Sequence, residues 1–250
     1  MQRDKLAGYL LKYLDVEKFD DYCPNGLQVE GNSNIKKIVT AVSASIELFN
    51  KAIKQRADAI LVHHGIIWNY ERPVYRGSYR ERVKLLLDNN INLFAYHLPL
   101  DAHPIVGNNA QLAKHLGLKS CKPFGDHKGQ TIGIKGRISK TNKDKFFKKV
   151  ENLVNREVLV FPYGPKSISN VGIVSGGAQK EFSQAISENL DAYITGEVSE
   201  HIKYLSQEEK IHYISAGHYA TENFGVKALG NHLKNKFKIN VEFIDVPNPV

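Results

Sequence analysis

The chain has 250 residues, of which 42% are hydrophobic and 24% are charged, and these are ordinary values for a globular protein. No apolar run reaches the ~18 residues of a membrane span and the N-terminus lacks a secretory signal, so the sequence predicts a soluble, cytoplasmic protein. Two cysteines are too few for a disulfide framework, and the net charge of +8 suits nucleic acid or a small polyanion as partner.

The first half begins with a helix and continues as strands that alternate with helices. Leu6, Leu10 and Leu14 recur at helical spacing, which predicts an amphipathic helix over residues 4–15. Apolar runs predict three strands, and a helix-length stretch at 47–56 separates the first two. The three predicted strands are 36–43, 58–63 and 92–96.

The second half, which begins near Gly125, has a similar order of elements. In each half a strand ends in serine and the next strand opens with Asp-Ala. Ser43 precedes Asp58 by 15 residues, and Ser175 precedes Asp191 by 16. This match favours an internal duplication, although α/β units also resemble one another through their shared pattern. The predicted elements of this half are strands at 128–134, 170–174, 191–195, 212–216 and 240–246 and helices at 180–189 and 227–236.

Near-continuous apolar strands that alternate with helices are typical of parallel or mixed sheets. The sequence therefore predicts an α/β protein with two related α/β domains, each a mixed sheet flanked by helices. We place the domains at residues 1–125 and 126–250, with a C-terminal segment that packs back on the first half. Ligands bind at the carboxyl ends of strands in such sheets, and the chemically suggestive residues follow predicted strands.

His63 and His64 stand together at the end of a predicted strand. Neighbours in a regular strand point to opposite faces, but Gly65 allows both rings to turn toward one cavity. Two adjacent imidazoles chelate one ion poorly and serve two ions more naturally. The alternative is one buried histidine beside one surface histidine, without a metal.

His97 and Asp101 follow the next predicted strand in the first half. Pro99 between them predicts a rigid loop, and Asp101 offers an oxygen donor suited to a divalent cation. The alternative for Asp101 is a helix cap or a turn residue. His103, beside a proline, reads as a loop residue.

His218 and Glu222 follow the corresponding strand of the second half. Their spacing of four places them on one face if a helix begins after Gly217, and an ordinary surface ion pair is the alternative. Glu197 occupies the position in the second half that the histidine pair occupies in the first. It could face the same cavity, or form an exposed helical pair with His201.

Taken together, these residues predict a site for two divalent metal ions between the halves. Two such ions ~3.5–4 Å apart would activate a shared water, and Glu222 could bridge them. Nitrogen and oxygen donors fit Zn, Mn, Fe, Co or Ni without choosing among them. His97 is then a candidate proton-transfer residue. The predicted metal ligands are His63, His64, Asp101, His218 and Glu222.

Five stretches in this order resemble the GTP cyclohydrolase I type 2 family, also called the Nif-three-like family. Tyr219 stands where many relatives have a second histidine, which leaves the matched ligand, His218, in place. The stretches span nearly the whole chain and are Pro24–Gly31, His63–Gly65, His97–Asp101, Thr195–Glu200 and Gly217–Glu222.

The resemblance implies a two-domain α/β fold with a dinuclear metal centre held by the same five ligands, and a homohexameric ring. It also implies hydrolysis of GTP to formate and 7,8-dihydroneopterin triphosphate, a step toward pterins and folate. We expect a metal-dependent hydrolase with His97 and Glu197 as catalytic residues. The alternatives are a hydrolase of another nucleotide or phosphoester, or a metal-stabilised ring that binds nucleic acid or protein. The densest basic stretch, 140–149, also reads as a solvated helix face.

Overall fold

The computed structural model describes residues 1–72 and 74–250. Within these residues the chain forms two compact units, each built from two segments of sequence. The first unit consists of Met1–Leu100 and Gly225–Pro247, and the second unit consists of Asp101–Phe224 and Asn248–Val250.

The boundary between the units lies between Leu100 and Asp101, ahead of the position near residue 125 that the sequence suggests. The reason is a helix, Asn108–Leu116, which buries Leu112 and Leu116 in the core of the second unit. Asp101 consequently belongs to the second unit. The segment 225–247 groups with the first unit.

The first unit contains a five-stranded mixed sheet. Its strands are β1 (Gly26–Val29), β2 (Lys37–Ser43), β3 (Ala59–His64), β4 (Asn92–Ala95) and β11 (Asn240–Phe243). They lie in the order β1-β4-β3-β2-β11, and β1 is antiparallel to β4 while the other pairs are parallel. The helices of this unit are α1 (Arg3–Tyr13), α2 (Ile46–Lys54), α3 (Gly77–Asp88) and the larger part of α9 (His218–Phe237).

Burial explains how the first sheet forms. Residues 59–62 of β3 are fully buried, as the unbroken apolar run predicts for a central parallel strand. The helix α2 buries Leu48, Phe49 and Ala52 in the same core. Its first turn is capped by Ser45, whose hydroxyl accepts a hydrogen bond from the Leu48 amide at 3.1 Å.

The second unit contains a six-stranded mixed sheet. Its strands are β5 (Lys119–His127), β6 (Gln130–Asn142), β7 (Leu159–Pro162), β8 (Ser167–Ile173), β9 (Ala192–Thr195) and β10 (His212–Ser215), in the order β5-β6-β8-β9-β10-β7. The strands β8, β9 and β10 are mutually parallel, and the remaining pairs are antiparallel. Its helices are α5 (Asn108–Leu116), α6 (Lys143–Val154), α7 (Phe182–Ser187) and α8 (Ile202–Glu209). The predicted fold class, two mixed sheets flanked by helices, is confirmed.

The two units repeat one structural detail at the Asp-Ala positions. The Asp58 carboxylate accepts hydrogen bonds from the amides of residues 36 and 37, at 2.8 and 2.9 Å. The Asp191 carboxylate accepts from the amides of residues 169 and 170, at 2.7 and 2.8 Å. Each aspartate thus lies just ahead of one parallel strand and binds two consecutive backbone amides of the segment that forms the neighbouring strand, which supports the duplication.

The prediction of a loop between His97 and Asp101 is wrong. These residues lead into a short helix, α4 (Leu98–Ala102). Pro99 lies in its first turn, where a backbone N–H has no partner within the helix and the fixed φ of proline already suits helical geometry. No helix in the part of the chain that the structure describes is long and apolar enough to cross a membrane.

Candidate metal centre

Three histidines of the first unit form a compact cluster, here called the imidazole group: His63, His64 and His97. The ring centroids of His63 and His64 are 4.7 Å apart, and that of His97 is 5.0 Å from His63 and 5.6 Å from His64. One potential ligand atom from each ring lies within 4.8 Å of the others. His63 is buried and His64 is partly exposed, and both rings belong to the same cluster.

The Nδ1 atom of each ring in the imidazole group has a hydrogen-bond partner. His63 Nδ1 donates to the carbonyl of Tyr96 at 2.9 Å, and His64 Nδ1 lies 2.9 Å from the hydroxyl of Ser43. A carbonyl only accepts, so His63 carries its proton on Nδ1 and coordination falls to Nε2. Partners of this kind fix the orientation of metal-binding histidines.

The third ring, His97, is held by the carboxylate of Asp21. Its Nδ1 lies 2.7 Å from Asp21 Oδ1, and the Leu98 amide donates to Asp21 Oδ2 at 2.9 Å. Asn25 donates to the same carboxylate at 2.8 Å and accepts from the His97 amide at 2.7 Å. Burial of Asp21 raises its pKa, but hydrogen bonds and the charge of His97 outweigh burial and leave the pKa below its ordinary value.

Asp21 is a functional candidate that sequence reasoning missed. It precedes the matched stretch Pro24–Gly31 and is 76 residues from His97, so no local spacing marks it. Cys23 lies in the same neighbourhood, with its sulfur within 4.8 Å of ligand atoms of Asp21 and His97. Burial, assisted by the charge of Asp21, raises the pKa of the Cys23 thiol to about 12, which keeps it protonated at neutral pH.

The second unit brings together a carboxylate group: Asp101, His218 and Glu222. Carboxylate oxygens of Asp101 and Glu222 lie within 4.8 Å of each other, and the two residues are only 6% and 2% exposed. Two buried carboxylates this close repel each other unless a proton or a cation lies between them. His218 Nε2 lies 3.1 Å from Glu222 Oε2, and this pair is too buried to be the surface ion pair considered as the alternative.

Asp101 is oriented by two side chains of its own unit. Its Oδ1 accepts hydrogen bonds from Asn108 Nδ2 and from Ser175 Oγ, both at 2.8 Å. An aspartate that receives two hydrogen bonds on one oxygen is held in a fixed direction, as a carboxylate ligand of a metal requires.

The backbone near Glu222 leaves room for its carboxylate only because Gly176 has no side chain. Gly176 has a φ of +70°, and a Cβ built there would collide with Glu222 Oε1 and lie 3.3 Å from His218 Nε2. A side chain at position 176 would therefore strain the left-handed backbone and would displace the end of the Glu222 side chain. This close approach fits a site shaped around the carboxylate group.

Glu197 contacts the carboxylate group through His218. Its Oε1 lies 2.6 Å from His218 Nδ1. Burial lowers the pKa of His218, but the hydrogen bonds and charges of Glu222 and Glu197 outweigh burial and raise this pKa to about 9 when no metal is bound. A proton and a metal ion would therefore compete for this ring.

The other two histidines considered in the sequence have different surroundings. His103 Nδ1 accepts hydrogen bonds from the amides of Ile105 and Val106, at 3.2 and 3.1 Å, which is a turn role. His201 is exposed and precedes α8. Neither residue belongs to a group of potential ligands among the described residues.

The family model described as Duf34/NIF3 (NGG1p interacting factor 3) matches residues 1–249, and the chain belongs to this family. It is 48% identical over 253 residues to the "GTP cyclohydrolase 1 type 2 homolog" of Haemophilus influenzae, with 100% of each chain covered. The protein of the same name from Escherichia coli is 40% identical over 256 residues, again with 100% of each chain covered. The resemblance stated from the sequence is confirmed.

Solved structures show the same fold. A structure described as "protein ybgI, unknown function" has a TM-score of 0.95 and 40% identity, and 100% of each chain is covered. The crystal structure of TTHA1606 from Thermus thermophilus has a TM-score of 0.93 and 34% identity, with 100% of each chain covered. These neighbours share the architecture, and the first of them carries no assigned activity.

Proposed function

We propose that the protein is a divalent-metal-dependent hydrolase that opens the guanine ring of GTP, releasing formate and 7,8-dihydroneopterin triphosphate. The observation that carries the proposal is the imidazole group, in which each ring is oriented by a partner on Nδ1. The choice of GTP rests on the name of the relatives, "GTP cyclohydrolase 1 type 2 homolog".

In this proposal the imidazole and carboxylate groups supply the ligands of one dinuclear centre, as the resemblance implies. The donors fit such a centre, because His63 is fixed with Nε2 for coordination, Asp101 is oriented by Asn108 and Ser175, and two carboxylates share a buried space. Bound divalent ions would supply Lewis acidity and lower the pKa of a water molecule. The proposed ligands are His63, His64, Asp101, His218 and Glu222.

The protein's own residues would direct the proton movements. Asp21 holds Nδ1 of His97, so Nε2 is the atom that would accept a proton from water and return it to the guanine ring as it opens. Glu197 holds Nδ1 of His218. It acts in this proposal as a positioning residue, whereas the sequence predicts a catalytic one.

The test is to incubate protein loaded with Zn, Mn, Fe, Co or Ni with GTP, and to measure formate and the fluorescence of the oxidised pterin. We expect both products, and His97→Gln should lower turnover by about 100-fold with unchanged metal content. His201→Gln removes an exposed histidine and should leave turnover unchanged. Fully metal-loaded protein that yields neither product would overturn the proposal.

A second candidate is a binding protein in which metal stabilises the fold, and the family description "interacting factor" favours it. The homohexamer implied by the resemblance is compatible with either function and is measured directly by light scattering. The wild type and Glu222→Gln together distinguish the two functions. If the protein only binds a partner, the wild type should show no hydrolytic activity, and the variant should lose metal and stability.

A further inference from the structure

The second unit contains a basic cavity that the proposed metal centre does not use. It has a volume of about 540 Å³ and is lined by residues of β5, β6 and β8 and by residues 188–190, which follow α7. This volume lies in the range of small-molecule sites. The cationic lining residues are Lys122, Lys135 and Arg137, and Glu188 is the acidic one.

The positions of the cationic side chains in this cavity are unfavourable for the stability of the sheet. Lys122 and Lys135 are directly opposite each other in the antiparallel pair β5 and β6. Arg137 follows Lys135 by two residues and therefore lies on the same face. Like charges placed directly opposite destabilise a sheet, so this arrangement calls for a compensating anion.

One carboxylate supplies part of that compensation. Glu188 forms an ion pair with Lys135, and Arg137 Nε donates to Asn170 Oδ1 at 3.3 Å. A neutral amide does not offset the charge of Arg137, and Lys122 adds a further cation to the wall. The cavity therefore keeps an excess of positive charge after its internal contacts are counted.

A second cavity of the same unit shares Lys122 with the basic cavity and has Asp101 in its wall. It has a volume of about 270 Å³, and its wall includes both Lys122 and the proposed ligand Asp101. Pro104, Pro123 and Ile134 give it a partly apolar wall, which suits a planar base or a sugar better than a phosphate. Lys122 is common to both cavities.

We propose that the basic cavity binds the phosphate chain of the substrate, through Lys122, Lys135 and Arg137. The proposal rests on the proposed function, because it takes the substrate to be a nucleoside polyphosphate whose remaining part extends toward Asp101. Basic side chains bind phosphate oxygens through charge-assisted hydrogen bonds, and the fork of Arg137 suits two oxygens at once.

The probe is inorganic tripolyphosphate, and binding to the full chain is measured by titration calorimetry in metal-free buffer. We expect Lys122→Gln and Arg137→Gln each to weaken binding by about tenfold, because each removes a charge-assisted hydrogen bond. Glu188→Gln removes the competing carboxylate and should strengthen binding. A residue with a merely structural role would not produce opposite effects of this kind.

Lys145→Gln is the matched control. It changes the net charge by the same amount, but Lys145 is an exposed residue of α6 outside the cavity wall. Its binding should stay within about twofold of the wild type, because an exposed charge outside the site acts only through the screened field. Equal weakening by Lys145→Gln and Lys122→Gln would show a non-specific charge effect and overturn the proposal, as would a wild type that does not bind tripolyphosphate.

The same variants distinguish this proposal from the proposed function. Tripolyphosphate binding without metal does not depend on ring opening, so it survives if GTP is not hydrolysed. If GTP is hydrolysed and the cavity variants leave the KM for GTP unchanged, the phosphate chain binds elsewhere and only this inference fails. If both hold, Lys122→Gln and Arg137→Gln should raise KM by about tenfold with little change in kcat.

Discussion

Asp21 determines how His97 is presented, although nothing in its sequence neighbourhood indicates such a role. Its buried carboxylate accepts hydrogen bonds from the Tyr22 amide, Asn25, His97 and the Leu98 amide. Four donors occupy the hydrogen-bond accepting capacity of this carboxylate. The His97 ring is therefore left with little freedom to rotate. Such a pair suits a histidine that transfers protons without binding metal.

Asp21→Asn tests this role. The amide cannot accept from every donor, so the free energy of unfolding should fall by about 2 kcal/mol in urea titrations. Because the folded pKa of Asp21 is lowered, its stabilisation is present above about pH 4 and is lost as the pH falls further, so the two proteins should converge in acid. Asp15→Asn, which changes an exposed pair with Lys18, should change stability by under about 0.5 kcal/mol. A similar loss in both variants would contradict the role.

Gly176→Ala tests whether the backbone around Glu222 is shaped for its carboxylate. Alanine at a φ of +70° is strained, and its Cβ would also displace Glu222 Oε1. We expect metal affinity to fall by about 10- to 100-fold, as for loss of an orienting contact, when measured by competition with a chelator.

Gly129→Ala is the control for backbone strain. Its φ is +82°, but no atom lies within 4 Å of the added Cβ. It should cost about 1–2 kcal/mol of stability and leave metal affinity unchanged. Equal metal loss in both variants would show that strain, and not the collision with Glu222, is responsible.

Among the elements, the Asp-Ala positions offer a test of the duplication. Asp58→Ala and Asp191→Ala each remove a carboxylate that accepts from two backbone amides. We expect similar losses of about 1–3 kcal/mol in the free energy of unfolding, because the same two donors lose their partner in each unit. Asp88→Ala, which breaks only an exposed pair with Lys84, should cost under about 0.5 kcal/mol. A large loss at one aspartate alone would argue against equivalent roles.

The central parallel strands were predictable because buried parallel strands are largely apolar, as β3 and β9 are up to their last residues. The candidate ligands were predictable because they follow such strands. Asp21 was not, because its role arises from a contact over 76 residues. The unit boundary and α4 were also missed, since packing of α5 and the tolerance of Pro99 in a first turn are decided by tertiary context.

The strand β10 carries a pH-sensitive contact at its first residue. His212 Nδ1 accepts from the Gly164 amide at 3.0 Å, and Nε2 donates to the Pro165 carbonyl at 2.8 Å. The contact with the Gly164 amide needs an unprotonated Nδ1, whereas Nε2 can donate to the Pro165 carbonyl in either protonation state. Burial lowers the pKa of His212 despite the hydrogen bond to Pro165. The stabilisation is therefore present above about pH 6.5 and lost as the pH falls below it.

Urea titrations between pH 7.5 and 5.5 measure this contribution. We expect the loss of stability on acidification to be smaller in His212→Gln than in the wild type, because the variant has no ring to protonate. His115→Gln, at an exposed position of α5, should keep the wild-type pH dependence. An unchanged pH dependence in His212→Gln would show that this ring does not contribute.

For the whole molecule, the proposed dinuclear centre is tested by one change in the imidazole group and one change in the carboxylate group. If the imidazole and carboxylate groups serve one centre, His64→Gln and Glu222→Gln should each reduce the bound metal from two ions per chain, as measured by elemental analysis. Each should also reduce the rise in Tm that excess metal causes in the wild type, where a concentration of 100 times Kd adds about 2.7 kcal/mol.

The double variant distinguishes one shared centre from two separate sites. In a shared centre the single changes already remove the common stabilisation, so the combined loss should be smaller than the sum of the single losses. Two independent sites would instead give additive losses, with one ion remaining in each single variant. Additive losses would contradict the shared centre and would indicate two separate metal sites.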